Sequence, residues 1–485
     1  MSEFFQARRS SYAVLFFLLL SISGRGFSQV FTVADLNYSV NDDGSTVTVT
    51  GHLDGMAATG TIDIPESVTY AGTNYHVTKI DDFAFYECTG LNGSLTIGES
   101  VTTIGRSAFD GCTGFDTLAL GSSVTTIERE AFRGCHGFNG SLTIGDSVTT
   151  IGDHAFDFCY GFNGSLIIGN SVTTIGNHAF SNCSGFDTLA LGSSVTTIGA
   201  YAFNRCSGFH GSLTIGDSVT TIGEGAFYQC SGFDGSLTIG NSVVAIGNLA
   251  FCNCGFTGNL VIPNSVTDIG QWAFKYCVEF DGLTMGGSVA TIGNYAFSSC
   301  YGFAGELLLP NSVTEIGAFA FEYCSGLDSL LSIGNSVATI KHGAFFECKF
   351  DSIVSLAEIP PTLEDMAFYG VPGDKLTVPC GCVSAYETSV WNDHFVTFLE
   401  NCASIAEDDD NAIAIYPNPT NGAISIEAEC LQRIEVYNII GQLIEKRQVD
   451  GDMFDYDLSG HEAGIYLIRI ETADGIVTKR VFLTK

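Results

Sequence analysis

Basic charge is what this chain most lacks. Lys and Arg number 19 against 53 Asp and Glu, for a formal net charge of −34. That balance excludes nucleic acid as a partner, because phosphates bind where cations replace their counterions. It also excludes an anionic membrane surface. Long apolar runs are missing as well. After the first thirty residues none reaches the length of about 18 that would span a bilayer, so the mature chain is expected to have no transmembrane span. Only 15% of residues are charged, while Gly (57) and Phe (37) are plentiful. A fixed internal period explains that bias.

Residues 1–28 read as an export signal. Arg8 and Arg9 form a basic region, Tyr12–Leu20 an apolar one, and Ser21–Ser28 a small-residue stretch suited to cleavage. The apolar run is too short for a spanning helix, and no Cys follows it at a lipoprotein position. The mature chain is therefore expected outside the cytoplasm.

Self-similarity dominates the rest of the chain, and a period of this size signals a solenoid or array. One copy, Gly140 to Asn163, reads GSLTIGDSVTTIGDHAFDFCYGFN. Its Ala-Phe pair recurs thirteen times from Phe85 to Phe368, always in steps of 23 or 24 residues. Each copy holds two short β-like stretches, Leu-x-Ile and Val-x-x-Ile, around a turn such as Gly145-Asp146-Ser147. In Leu142-Thr143-Ile144, period-two geometry sends Leu and Ile one way and Thr the other. Ala155, Phe156 and Cys159 are spaced for one side of a helical turn, and Phe162 closes the coil. So small a unit cannot bury its apolar face alone and must stack on neighbours. At about 4.8 Å per strand, thirteen coils make a rod or arc roughly 60 Å long.

The fold class this implies is mostly β, with short strands and one helical turn per coil. A solenoid fills residues 80–370. Residues 29–79 form a β-rich N-terminal cap, with alternation in Thr46-Val-Thr-Val-Thr50 and a repeat-like Ile62-Asp-Ile-Pro65. Residues 371–405, with Val378-Pro379 and Trp391, form the C-terminal cap, since exposed terminal coils need covers.

The residues Leu-x-Ile, Asn/Asp-Ser-Val-x-x-Ile-Gly, Ala-Phe and Cys closely resemble the BspA-like leucine-rich repeats of bacterial surface proteins. Many copies carry Gly where that family often has Pro, although Pro263 and Pro310 retain it, and residues 325–336 read as carrying an insertion. The resemblance implies a curved solenoid used for attachment or protein binding. The spacing by itself implies only the solenoid.

An acidic run, Glu407-Asp-Asp-Asp410, marks a linker over 406–411. Beyond it, residues 412–485 alternate in short strands such as Ile424-Ser-Ile426 and Gly464-Ile-Tyr-Leu-Ile-Arg-Ile470, as in a small immunoglobulin-like β-sandwich. Tyr416-Pro417-Asn418-Pro419-Thr-Asn-Gly422, Val436-Tyr437-Asn438 with Gly441-Gln442, and Ala463-Gly464-Ile-Tyr466 resemble the type A sorting domain of type IX secretion. That resemblance implies passage across an outer membrane by the type IX machinery, often with removal of the domain and retention at the cell surface.

Chemistry finds little support. Twelve of the seventeen Cys, Cys88 to Cys348, sit three residues after the repeated Phe. Such a column faces inward, where Cys behaves as a small hydrophobe, and in-register side chains point in parallel, which suits a disulfide poorly. Cys380-Gly-Cys382 lacks the second pair a zinc site needs; a bridge from one of these two to Cys402 stays open. Gly-Asp-Ser-Val at Gly145–Val148 and Gly216–Val219 resembles an esterase nucleophile block. Gly-Asn-Ser-Val and Gly-Ser-Ser-Val fill the same slot elsewhere, so it is a turn. His154 and His178, one coil apart, could share a metal but have no evident third ligand. No catalytic residue, cofactor or metal is expected.

These features point to a non-enzymatic protein, secreted or attached to the exterior of the outer membrane, that binds an extracellular protein or glycan. The alternatives are a structural spacer or coat component, and an enzyme with its site in a cap. The slots two before and two after each Phe should face outward by the 100° helical step. They hold Tyr201, Trp272, Tyr276, Tyr295, Phe319 and Tyr323, with His154 and Phe158, and such rings are enriched in binding hot spots. The competing surface is the threonine row Thr96, Thr143, Thr214, Thr238 and Thr284.

Overall fold

The computed structural model describes residues 29–401, 413–416, 420, 422–438, 443–461, 464–472 and 475–483. The expected leader and acidic linker lie outside them, as do Pro417, Asn418 and Pro419. The chain divides into two units, one comprising residues up to Ala357 with Pro361–Gly373, the other Glu358–Pro360 with Asp374–Lys485.

In the first unit, the alternation of Thr46–His52 places Val47 and Val49 in the core. This strand pairs antiparallel with Leu36–Val40 and parallel with Thr73–Ile80. Thr73–Ile80 in turn pairs with Thr103–Ile104, so the N-terminal strands start the sheet that every later coil extends. Its rungs are two-residue strands, Thr126–Ile127 on Thr150–Ile151, then Thr174–Ile175, continuing to Thr362–Leu363 in parallel register. The Leu-x-Ile strands form shorter sheets, for example Leu142–Ile144 on Ser165–Ile168. The insertion expected at 325–336 is absent: Phe321 to Phe345 is an ordinary step of 24 residues, and Leu331 pairs with Leu307 on one side and Ile353 on the other.

Between the two strand rows lies the core. The repeated Phe rings stack from Phe85 to Phe368, with centroids 5.0 Å apart for Phe85–Phe109 and 5.6 Å for Phe321–Phe345. A second ladder runs through Phe115, Phe138, Phe162 and Phe186. Burying each ring stabilises the fold by about 1.5–3 kcal/mol. One coil could bury neither face of its ring, which is why the array is cooperative along its axis.

The segment expected to be a helical turn is built differently. Residues two before and two after each Phe have positive φ, as at Trp272 (58°) and Tyr276 (61°), or Tyr295 (56°) and Ser299 (63°). Within the coil, alternate amides bond three residues back, as Cys277 N does to Phe274 O (3.1 Å). The intervening amides bond to the next coil, as Trp272 N to Asn294 O (2.9 Å) and Phe274 N to Ala296 O (2.8 Å). A continuous helix would direct every amide along its own axis and leave none for stacking. Overlapping turns satisfy both demands and still send Phe and Cys inward.

The Cys column is buried and its thiols form no disulfides. From Cys112 to Cys348 each thiol of the column donates to the Phe carbonyl of the preceding coil, as Cys206 Sγ does to Phe180 O at 3.1 Å, whereas Cys88 Sγ donates to Gly55 O. Burial pushes these thiols well above their ordinary pKa, which keeps them protonated donors.

In the second unit, Lys375–Pro379 pairs parallel with Thr397–Asn401. The short helix Val383–Glu387 brings buried Tyr386 edge-on to buried Trp391. Of Cys380 and Cys382, it is Cys380 that is disulfide-bonded, while Cys382 is free. Among the described residues the C-terminal module is one antiparallel five-stranded sheet, barrel-like in form. Ala423–Asn438 pairs with Ile413–Tyr416, Leu443–Asp457 and Gly464–Thr472, and Gly475–Leu483 completes it. Its core holds Ile424, Ile426, Ile434, Val436, Ile468 and Ile470. Among the described residues no helix is long and apolar enough to cross a membrane.

Candidate functional site

The overlapping turns set the outward row. A left-handed residue on each side of Phe turns its side chain away from the core, so these positions face out by alternation rather than by a helical step. Stacking then decides how much of each ring stays open. His154 stacks on His178 (centroids 4.7 Å) and His178 on Tyr201 (5.1 Å). The Tyr201 ring lies over Gly225, and its hydroxyl donates to Glu224 at 2.7 Å. Burial and that bond push its pKa up to about 12, so it remains a donor. A second stack runs Trp272–Tyr295 (6.1 Å) and Tyr295–Phe319 (5.0 Å), and Phe319 lies over Gly343. Tyr201, Trp272, Tyr295 and Phe319 are thus half-buried by their neighbours. Tyr276 and Tyr323 are 48% and 40% exposed.

Trp272 and Tyr276 line a cavity of about 510 Å³ with Tyr228, Gln229, Leu249, Cys252, Asn253 and Lys275. The Lys275 ammonium sits over both Tyr276 (5.0 Å) and Tyr295 (4.6 Å). Gln229 and Asn253 also line a second hollow of about 710 Å³ with Phe158, Tyr160, Asn182, Ser184, Arg205, Ser207 and Ser231. The two join into one open groove across six coils. Tyr323 and Phe319 lie outside its lining, as does Tyr201. Sequence reasoning missed Arg205, Gln229, Asn253 and Lys275. Two of them carried a readable signal, since Arg205 and Lys275 are the only Lys or Arg between residues 134 and 340.

Thr96, Thr143, Thr214, Thr238 and Thr284 are all exposed. Their row is broken by apolar residues, among them Ile167 (42% exposed) and Val261 (48%). The regular hydroxyl ladder belongs to the other strand, where Thr125 Oγ1 donates to Thr102 O (3.0 Å) and Thr196 Oγ1 to Thr173 O (3.0 Å). His154 Nδ1 lies 3.0 Å from Asp157, and among the described residues no three potential ligands gather as a metal site.

Asp110 is the carboxylate most disturbed by the stack. Burial raises its pKa to about 6; Arg133 opposes the shift, and Glu130, Glu87 and Asp157 add to it. A carboxyl raised on folding favours the protonated native state. Its contribution is therefore complete below the ordinary carboxylate range and is lost as pH rises through about 6. Asp110→Asn should stabilise the solenoid by about 1–3 kcal/mol at pH 8 and flatten stability between about pH 4 and 6. Chemical denaturation at the two pH extremes checks this; lower stability of the variant at pH 8 would contradict it.

In the C-terminal module, Tyr416 is exposed and donates to Glu427 at 3.1 Å. Gly422 O accepts from Leu458 N, Gly464 opens its strand, and Tyr466 is buried in the core. Nearby, Glu435 receives Lys446 (2.8 Å), Tyr437 (2.7 Å), Arg433 (3.3 Å) and Arg469 (3.4 Å). Hydrogen bonds from Lys446 and Tyr437 hold its carboxyl down to about 2.

The BspA type leucine-rich-repeat model matches residues 61–186, 138–257 and 244–373, together more than half of the chain. The secretion system C-terminal sorting domain matches residues 414–484. A leucine-rich repeat protein from Bacteroides ovatus is 24% identical, covering 76% of this chain and 99% of that one at a TM-score of 0.54, which shows the fold. A leucine-rich cell surface protein from Faecalibacterium prausnitzii is 22% identical over 72% of this chain and 99% of that one, with a TM-score of 0.39. A leucine-rich repeat protein from Bacteroides capillosus is 32% identical over 24% of this chain and 84% of that one, with a TM-score of 0.23. No curated protein matches significantly. The sorting domain implies handling by type IX secretion, and with the repeats it marks a protein secreted or attached to the cell surface. The chain belongs to the BspA-type leucine-rich-repeat family and carries a type IX secretion sorting domain at its C-terminal end.

Proposed function

We propose that this surface protein is a non-enzymatic binding module that holds an extracellular protein or glycan on the aromatic edge centred on Trp272 and Tyr276. The observation that carries this reading is the cavity of about 510 Å³ in which those two rings meet Lys275, Gln229 and Asn253. Concave sites with aromatic walls and a few placed polar groups are where ligands bind. A spacer would need no such concavity. The relatives support the absence of chemistry, since they are leucine-rich repeat proteins.

The test starts with pull-downs from host extracellular matrix and from cell-wall glycans. Trp272, Tyr276, Tyr295 and Tyr323 are then replaced together by Ser and affinity for the captured partner is measured. Truncated hot-spot rings cost at least about 2 kcal/mol, so a loss of more than about tenfold is expected. Unchanged affinity with an intact fold would move the site to the threonine face.

A further inference from the structure

Charge in the groove runs against the trend of the whole chain. Among the described residues no Asp or Glu lines either hollow, and their charged residues are Arg205 and Lys275. In a chain with 53 acids, these are the only Lys or Arg between residues 134 and 340, and the fold brings both to one groove. Other solenoid bases are committed elsewhere. Lys79, Arg129, Arg133, Lys341 and Lys349 each face a carboxylate within 4.0 Å and Arg106 lies over the Phe83 ring, whereas Arg205 and Lys275 form no carboxylate pair among the described residues. Arg205 Nε donates to Gln229 Oε1 at 3.0 Å, which sets the plane of its fork. Three coils separate the two cations, or about 15 Å at one strand spacing per coil.

What lies between and beside them fixes the ligand class. Asn182, Ser184, Ser207, Gln229, Ser231 and Asn253 offer amides and hydroxyls that both donate and accept. Exposed Phe158 and Tyr160 stand at one end, with His136 stacked on Tyr160, and exposed Tyr276 stands at the other under the Lys275 ammonium. An acidic peptide would require pockets for alternate side chains, and the lining from Asn182 to Ser231 supplies only polar groups. A dense polyanion would meet two cations on a molecule of net charge −34 and be repelled.

Resting on the binding function proposed for this edge, we infer that the groove takes a linear glycan bearing isolated carboxylates. Sugar hydroxyls pair with the amide and Ser row, and C–H faces of the sugar rings lie on Phe158, Tyr160 and Tyr276. Carboxylates meet Arg205, whose planar fork suits them bidentately, and Lys275.

The purified full chain is titrated calorimetrically with a hyaluronan octasaccharide and with a partly de-esterified pectin oligosaccharide. Cellohexaose serves as the neutral comparison and heparin as the dense polyanion. At least one of the two acidic glycans should bind, more weakly as salt rises, and more tightly than either comparison. R205Q/K275Q should lose about tenfold or more in affinity, and F158A/Y160A likewise; Phe158, Tyr160 and Arg205 are exposed and Lys275 is half-buried, so circular dichroism should show the fold kept. Failure of both acidic glycans, equal binding of cellohexaose, tighter binding of heparin, or unchanged affinity in R205Q/K275Q overturns the inference. Loss of partner capture in the aromatic Ser variant, with neither acidic glycan binding, sinks this ligand class alone. Normal capture by that variant removes the binding site itself.

Discussion

Gly185→Ala is expected to destabilise the solenoid by about 3 kcal/mol or more, at the upper end of what forced overpacking costs. A Cβ at this position would fall inside the van der Waals shell of Phe162 O and within 2.6 Å of Tyr160 O, both backbone atoms of the preceding coil. Neither carbonyl can retreat without parting the coils, and the Phe162–Phe186 stack (4.9 Å) holds them together. Gly145→Ala is the matched control, because its Cβ would meet nothing within 4 Å; it should change stability by less than about 0.5 kcal/mol. Repeat arrays lose two-state behaviour easily, so hydrogen exchange is the better measure than a single melt. Amides that cross the nearby coils, such as Phe156 N to Ala179 O and Phe180 N to Ala202 O, should lose protection in Gly185→Ala. Equal protection in the two variants would show that the stack accommodates the methyl group.

Deleting residues 412–485 should abolish appearance of the chain outside the cell while leaving the solenoid folded. The C-terminal module closes its own core around Ile424, Val436, Ile468 and Ile470, and a separate ladder of Phe and Ile holds the repeats. Removing one core therefore leaves the other intact. The sorting match covers 414–484, so the deletion removes all of it. Cell fractionation with circular dichroism of the retained product reads both halves of the expectation. Truncated protein outside at normal yield would refute a sorting role, and an unfolded remainder would refute independent cores.

Much of this molecule was legible because repetition averages out local ambiguity. A lone Leu-x-Ile triplet says little, whereas thirteen phased copies place Leu142, Ile144, Ala155, Phe156 and Cys159 inward, and all five are buried. The turn was harder to read. Its spacing fits a helix, yet the amides of Trp272 and Phe274 are drawn to the next coil, a pull that helix periodicity does not encode. The outward rings at Trp272 and Tyr295 could be named from the sequence, but their mutual shielding could not, since each covers a residue 23 positions away.

By itself the sequence determined the period, the inward columns, the acidic character and the sorting motif, because each is a property of spacing or composition along the chain. Only the tertiary structure decided which outward rings stay open, why Gly185 must lack a side chain, and that the two lone bases of the middle repeats share a groove. Those outcomes depend on contacts between successive coils. Their strength is set by how closely two backbones approach, which no residue specifies alone.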